Sequence, residues 1–518
     1  IGCLRTCRAM GAAESVIDSD PSTEVDLSHA CEAFNARFRD KAPPSSAEEL
    51  SRSLGLKYPS SAEELGRLLG LKYGPRGLRS MFQLYPDIKA EEFFAVTLPF
   101  IIDTAAALPE RLPPEQKLKK LAQRKRDRLL IDRSLVASLM AHMFLCTINP
   151  EEDDTIRSRA MPGVSFFYLH SSDETCPQEV AKLRMFVNYF ERIRSEPPQG
   201  QLRIYRQVRE TFEEEDDRLK RQEANWRSST QPLLEIDMVD MYVGFENVEK
   251  GEGCLHADFA NMFLGGGVLS GGCVQEEIRF AICPELCAAM LVCPCMLAHE
   301  AITVVGGEQF SEYGGYAFSL QYAGDFRRPV PKDADGTPLV AITAMDALDL
   351  RGGDSSLQGQ MVLKEELREL EKAAAAFAPV DDVALKTWPV IATGNWGCGA
   401  FGGSIPLKAV LQWLAASEGS RSLRYFPFDA PIGRELTEFA VELCAANITV
   451  GQLFSALQDL DPSKVNEMNL LTMLKSKALA GARKAGAAGN ASGGAASTAK
   501  AKPKSQRSSP GRKSSSPG

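Results

Sequence analysis

The chain lacks most of what would place its 518 residues in a specialised class. Thirteen cysteines are too dilute for a disulfide-held scaffold. The longest apolar run, Leu286 to Ala298, is broken by Pro294 and is too short to span a bilayer, so no membrane association is expected. Neither end reads as a secretory signal, although the first residue is Ile and the natural start could lie upstream. These absences favour a reducing setting inside the cell. Metal chemistry is poorly supplied as well. Cys283, Cys287, Cys293 and Cys295 match no usual zinc spacing, and His299-Glu300 lacks the second His of a metalloprotease helix. His256, two residues before Asp258, reads as non-catalytic.

What is present is a globular composition with an uneven charge. Hydrophobic residues make up 44% of the chain and charged residues 25%, enough for a large core in two or three domains. From Lys475 onward there are ten Lys and Arg and no Asp or Glu; residues 1–474 therefore carry −19, the whole-chain −9 less the tail's +10. So acidic a body argues against a broad nucleic-acid-binding face, which needs clustered cations, but not against a phosphate held by backbone amides. The tail, 475–518, has almost no large apolar side chains to offset its chain entropy. It is expected to be disordered and available for weak contact with a polyanion.

Residues 1–74 are expected to be poorly structured apart from a tandem repeat. Pro44–Tyr58 recurs almost unchanged as Pro59–Tyr73, and each copy places Ser-Ser-Ala-Glu-Glu, a helix N-cap sequence, before an apolar run. Residues 75–232 read as a helical accessory domain, with helices over Ile88–Ala107, Leu129–Cys146 and Glu179–Ile193 and the basic Lys117–Arg128 as a solvated helix face. From 233 to 474 short β-rich runs alternate with helices. The strand candidates are Leu234–Val243, Ala301–Val305, Tyr316–Tyr322, Leu339–Met345, Val390–Thr393 and Leu423–Phe426. That alternation predicts a three-layer α/β domain.

The residues able to carry chemistry concentrate in Asp258–Phe280. Gly265-Gly266-Gly267, then Gly271-Gly272, allow backbone conformations closed to other residues and can present several N–H groups to a diphosphate. No Gly-Lys-Ser/Thr follows, which excludes a Walker loop. Gln275-Glu276-Glu277 comes next, flanked by apolar Val274, Ile278 and Phe280; partial burial raises a carboxyl pKa and favours a general acid. Adjacent acids diverge by about 100° on a helix, so one should move the proton while the other orients substrate. A second glycine loop, Thr393–Gly403, follows a strand candidate and precedes a helix, the position at which open α/β sheets bind ligands. Thr303–Tyr316 joins a strand to glycines and aromatics a third time.

The pattern GGG-x7-QEE, with Asp258-Phe259-Ala260-Asn261 upstream and Thr393–Gly403 downstream, resembles the poly(ADP-ribose) glycohydrolase family. Ser311–Tyr316 and Tyr425–Phe428 share the likeness, which covers roughly residues 80–470. It implies a macrodomain-like three-layer α/β module with a helical N-terminal accessory domain. It also implies hydrolysis of the ribose–ribose bonds of poly(ADP-ribose), mainly from the chain end, releasing ADP-ribose. The partners would be the polymer and poly(ADP-ribosyl)ated proteins, in the nucleus or cytoplasm; the protein would be a monomer needing no cofactor or metal.

By the same resemblance, Glu277 is the catalytic acid that protonates the departing ribose oxygen and then activates water. Glu276 and Asn261 would hydrogen-bond the ribose, Asp258 would support the site, and Gln275 would contact substrate beside them. Gly265, Gly266 and Gly267, with Asn395, Trp396, Gly397, Cys398, Gly399 and Ala400, would wrap the diphosphate. Tyr316 would touch the ligand and Phe428 would stack near the adenine, with Glu246 or Glu249 as the acid at that end. The rival reading, a module that binds the polymer without cleaving it, is disfavoured by the presence of Glu276, Glu277, Asn261 and both loops.

Overall fold

The computed structural model describes residues 23–39, 59–71, 74–148, 160–209, 215–239, 248–428 and 432–493. Twelve strands are described. β1 (Glu24–Asp26) and β2 (Lys117–Lys119) form a small antiparallel pair. An eight-stranded sheet takes β3 (Asp127–Asp132), β4 (Gln201–Val208), β5 (Ile236–Met238), β6 (Leu255–Asp258), β7 (Glu300–Val305), β10 (Ala341–Ala344), β11 (Val390–Gly394) and β12 (Ser422–Phe426). Between β7 and β10 in the chain, β8 (Ser311–Gly314) and β9 (Gln321–Asp325) make a separate hairpin. The sheet order is β3-β4-β7-β10-β6-β11-β12-β5. From β10 to β5 all neighbours are parallel; β7, β4 and β3 continue it antiparallel.

Helices cover both faces, giving the expected three layers. Five matter for the site: α1 (Arg133–Phe144), α2 (Pro177–Ser195), α3 (Gln275–Ile282), α4 (Leu363–Phe377) and α5 (Ile405–Glu418). Alternation along the strands divides the core. Leu255, Ala257, Ile391 and Leu423 pack with Leu367 and Leu370 of α4 and Val410 and Leu414 of α5. Ile302, Val304, Ile342 and Ala344 belong instead to the cluster holding Leu139 of α1, Phe186 of α2 and Phe280 of α3. Cys283, Cys287 and Cys293 lie in this second layer and, like Cys295, are fully buried; burial pushes the Cys293 thiol up to about 12.

Several local expectations change. Leu129–Cys146 is not one helix: its first residues form β3, and the helix begins only at Arg133. Lys117–Arg128 is not a helix face but β2, a loop and the start of β3, with Lys119 paired to Asp127 at 2.6 Å. β3 and β4 thus carry the region read as helical into the central sheet, and one core runs from Phe34 through α1 and α2 to Ala344. Tyr316–Tyr322 is mostly the tip of the β8–β9 hairpin, only Gln321 and Tyr322 of it lying in β9. There Gly315 has φ +73°, and a Cβ on it would meet the Ser319 carbonyl.

At the N-terminal side, the second repeat copy forms a helix over Ala62–Leu68. The Ser61 side chain accepts from Glu64 N, and the Glu64 carboxylate accepts from Ser60 N at 2.9 Å. The first copy lies outside the described residues. At the other end, a helix covers Leu470–Gly493 and so passes the expected boundary at 474. Leu470, Leu471, Leu474 and Ala478 are buried, and Lys475 pairs with Glu442 at 2.7 Å.

Candidate functional site

β6 lies between two parallel neighbours and delivers Asp258 at its carboxyl end. The chain then crosses the glycine loop and enters α3 at Gln275, so Glu276 and Glu277 occupy the first turn, where backbone dipoles favour negative charge. The three side chains tie the loop together. Gln275 Oε1 accepts from Phe259 N at 2.8 Å, and its amide donates to Ala257 O at 3.2 Å. Glu276 accepts from Asn261 N at 2.8 Å and Gly265 N at 2.7 Å. Glu277 accepts from Gly267 N at 2.9 Å and Val274 N at 2.8 Å.

This alters the expected use of the first glycine loop. The N–H groups of Gly265 and Gly267 go to the two carboxylates, and that of Gly266 goes to Phe263 O at 3.0 Å. Gly265–Gly267 therefore build the acid pair instead of offering these amides to a diphosphate. Glycine is required for close approach: a Cβ on Gly266 would lie 2.6 Å from a Glu277 oxygen and 2.7 Å from a Glu276 oxygen, and one on Gly272 would lie 2.5 Å from Glu277. Asn261 turns its side chain onto its own loop, accepting from Phe263 N at 3.0 Å.

Three carboxyl groups share this small space. Asp258 is 1% exposed, and neither of its oxygens has a hydrogen-bond partner among the described residues. Burial pushes its pKa up to about 8; the Arg279 guanidinium draws it back and the Glu277 charge adds to the rise. Glu276, 2% exposed, is held well above the usual range by burial, then by Asp258 and Glu277. Glu277, at 8%, is the most exposed of the three. Burial thus favours the protonated form of Asp258 and Glu276, with Glu277 beside them the nearest of the three to solvent.

The second loop leaves β11 beside it and is anchored differently. Asn395 donates to Pro427 O at 2.8 Å and accepts from the Tyr425 hydroxyl at 3.0 Å. Trp396 is fully buried, its indole N–H donating to Met345 O at 2.9 Å and its ring lying 3.6 Å from the Lys408 ammonium. These two side chains pin the loop to the core. Cys398 is half-buried, its thiol pushed up by burial. Gly399 and Ala400 are exposed, and the N–H groups of Gly397, Gly399 and Ala400 meet no protein acceptor among the described residues.

Two expected ligand aromatics come together. Tyr316, at the hairpin tip, and Phe428, just past β12, have ring centroids 5.5 Å apart; Phe428 sits at φ +58°, a strained conformation for a bulky residue. Both line a cavity of about 930 Å³ that also reaches Gln309, Trp388, His256 and Arg279. Sequence reasoning passed over Arg279, whose only signal is its place two residues after Glu277. It is 4% exposed with its Nε unpartnered. His256 donates through Nε2 to Gly251 O at 2.8 Å and is held neutral, its pKa lowered to about 3 by burial and then by Arg279. Glu246 and the Glu249 side chain lie outside the described residues. Among the described residues no group of three or more His, Cys, Asp and Glu is placed to hold a metal ion.

A carboxylate cluster at the carboxyl end of a central parallel strand, on a sheet packed between helical layers, defines a macrodomain joined to a helical domain. The comparisons agree. The family profile described as poly(ADP-ribose) glycohydrolase, macro domain fold, matches residues 223–432, and its helical-domain counterpart matches residues 85–206. Probable poly(ADP-ribose) glycohydrolase 2 of Arabidopsis thaliana is 30% identical over 384 residues, 66% of this chain and 71% of the relative. Poly(ADP-ribose) glycohydrolase 1 of Caenorhabditis elegans is 33% identical over 339 residues, 62% of this chain but 39% of the worm protein's length. The chain belongs to the poly(ADP-ribose) glycohydrolase family.

Proposed function

We propose that the protein hydrolyses the ribose–ribose glycosidic bonds of poly(ADP-ribose), working mainly from the chain end and releasing ADP-ribose, in the nucleus or cytoplasm. The observation that carries this reading is the division of labour among the buried acids. Glu276 and Glu277 stand side by side on α3, yet each is fixed by its own pair of backbone N–H groups. Glu277, the more exposed, gives a proton to the departing ribose oxygen as positive charge develops on the sugar. It then takes one from the attacking water. Glu276, held between Asn261 and Gly265, orients the ribose. The outward amides of Gly397, Gly399 and Ala400 receive the diphosphate, and Tyr316 and Phe428 receive the adenine end.

The test is incubation of the protein with purified polymer, following free ADP-ribose over time. The Glu277→Gln variant should lose at least about 10³-fold in rate while still binding ADP-ribose, because only the proton donor is removed. Near-normal turnover by that variant refutes the assignment. Wild-type protein that binds polymer and releases nothing would make it a reader of the polymer instead.

A further inference from the structure

We propose that Lys182, on α2 of the helical domain, is a positioning residue for Glu277, acting through the first glycine loop. This deepens the reading above and rests on Glu277 being the proton-transfer group. Lys182 is fully buried, yet its ammonium reaches across to the macrodomain. It donates to Ser270 O at 2.7 Å and to the Gly272 carbonyl, with a longer contact to Gly267 O at 3.4 Å. An ammonium has three donors, and here they meet three carbonyls of one turn. Each such bond is charge-assisted, and a buried ammonium deprived of them is costly, so lysine and turn hold each other in place.

The turn is also what grips Glu277. Gly272 N donates to Gly267 O at 3.1 Å and closes it. Gly267 N then donates to Glu277 at 2.9 Å, and the Gly272 backbone packs against the same carboxylate so closely that a Cβ there would lie 2.5 Å from it. The connection from Lys182 to Glu277 therefore runs through one turn: the ammonium holds the Ser270 and Gly272 carbonyls, Gly272 N holds Gly267 O, and Gly267 N holds the carboxylate. The same helix grips the hairpin that carries Tyr316. Asn188 donates to Phe310 O at 2.8 Å and accepts from the Tyr322 hydroxyl at 3.1 Å, and Arg192 pairs with Asp325 at 2.8 Å. One helix of the helical domain thus positions the proton donor from one end and the ligand aromatic from the other.

Lys182 holds carbonyls within the loop, so its loss should slow chemistry more than it weakens binding. In the full-length chain, Lys182→Met should lower kcat on purified polymer by about 10²-fold, the effect of shifting a reacting group by about an ångström. ADP-ribose affinity, measured by calorimetry, should stay within about threefold. Lys182→Ala should behave alike and recover at least about tenfold in kcat when ethylammonium is added, with no recovery from ethanol. Tyr322→Phe, which loosens the hairpin, should do the reverse and weaken ADP-ribose binding more than it lowers kcat. A Lys182→Met protein with wild-type kcat overturns the proposal, as does parallel loss of kcat and affinity or a folded Lys182→Ala protein that ethylammonium does not restore. If both variants fail to fold, the lysine serves the fold and the proposal falls. Wild-type turnover separates the two readings: without it the enzyme assignment fails, and with it only the role of Lys182 is at stake.

Discussion

The two glycine loops have similar composition and opposite uses. In the first, Gly265 and Gly267 turn their N–H groups inward onto Glu276 and Glu277, and the missing side chains let the backbone come within contact distance of both carboxylates. In the second, the side chains turn inward: Asn395 onto Pro427 and Tyr425, Trp396 onto Met345. The N–H groups of Gly397, Gly399 and Ala400 are left without a protein acceptor among the described residues. Glycine serves close packing in one loop and an exposed amide surface in the other. The first loop holds the acids, and the second keeps amides without a protein acceptor among the described residues.

The strongest way to break this contrast is a methyl group in each loop. Gly266→Ala places a Cβ against both carboxylates at a residue with φ +51°, so the pair must separate. We expect kcat to fall by about 10²-fold with ADP-ribose affinity much less changed. Gly397→Ala acts at φ +74°, where the new Cβ would lie 2.5 Å from Ala347 Cβ and push the second loop out of register. Here ADP-ribose affinity should fall by about tenfold while kcat at saturation changes by less than about threefold. Steady-state kinetics with a parallel binding measurement separates the two. If both variants lose affinity and retain kcat, the first loop holds ligand after all.

The contrast was only partly legible in the sequence. Runs of glycine and the adjacent Glu276 and Glu277 marked the site, since both signals are local. The destination of each N–H was not legible, because Glu276 reaches back to Gly265 across a turn whose closure no spacing rule encodes. Trp396 was placed at the ligand with the rest of Asn395–Ala400 by the resemblance; its indole bonds the Met345 carbonyl, far away in the chain, and its ring meets Lys408 of α5. β6, the strand that delivers Asp258, gave no strand signal: four buried residues including a His and an Asp read as neither an alternating nor an apolar run. β3 and β4 were hidden likewise among helix-forming neighbours, and tertiary pairing decided them. Nothing in the sequence marked the role of Lys182, since its partners are backbone carbonyls.

A gentler change sharpens the role of the second loop's anchors. Trp396→Phe keeps an aromatic side chain but removes part of the indole with its N–H, leaving a small void and the Met345 carbonyl without its donor in a buried place. Unfolding by urea should show a loss of about 1–3 kcal/mol. Because the indole faces the core, turnover of the folded variant should stay within about threefold of wild type. A large loss of kcat without loss of stability would return Trp396 to the ligand.

The smallest effect at acid pH, and the one that probes the acid cluster most directly, concerns Asp258. Its pKa is pushed up to about 8 in the folded protein, mainly by burial, against about 3.9 for the unfolded chain. Between those values the folded state keeps a proton that the unfolded state has released, so this group's contribution is complete below about pH 4. It is lost as pH rises, and levels off above about pH 8. Asp258→Asn keeps a neutral group of the same shape at every pH. Its stability relative to wild type should therefore increase steadily from pH 4 to 8 and flatten beyond. Urea unfolding of both proteins across that range is the measurement. Parallel curves would show that Asp258 is ionised in the folded site, with Arg279 outweighing burial.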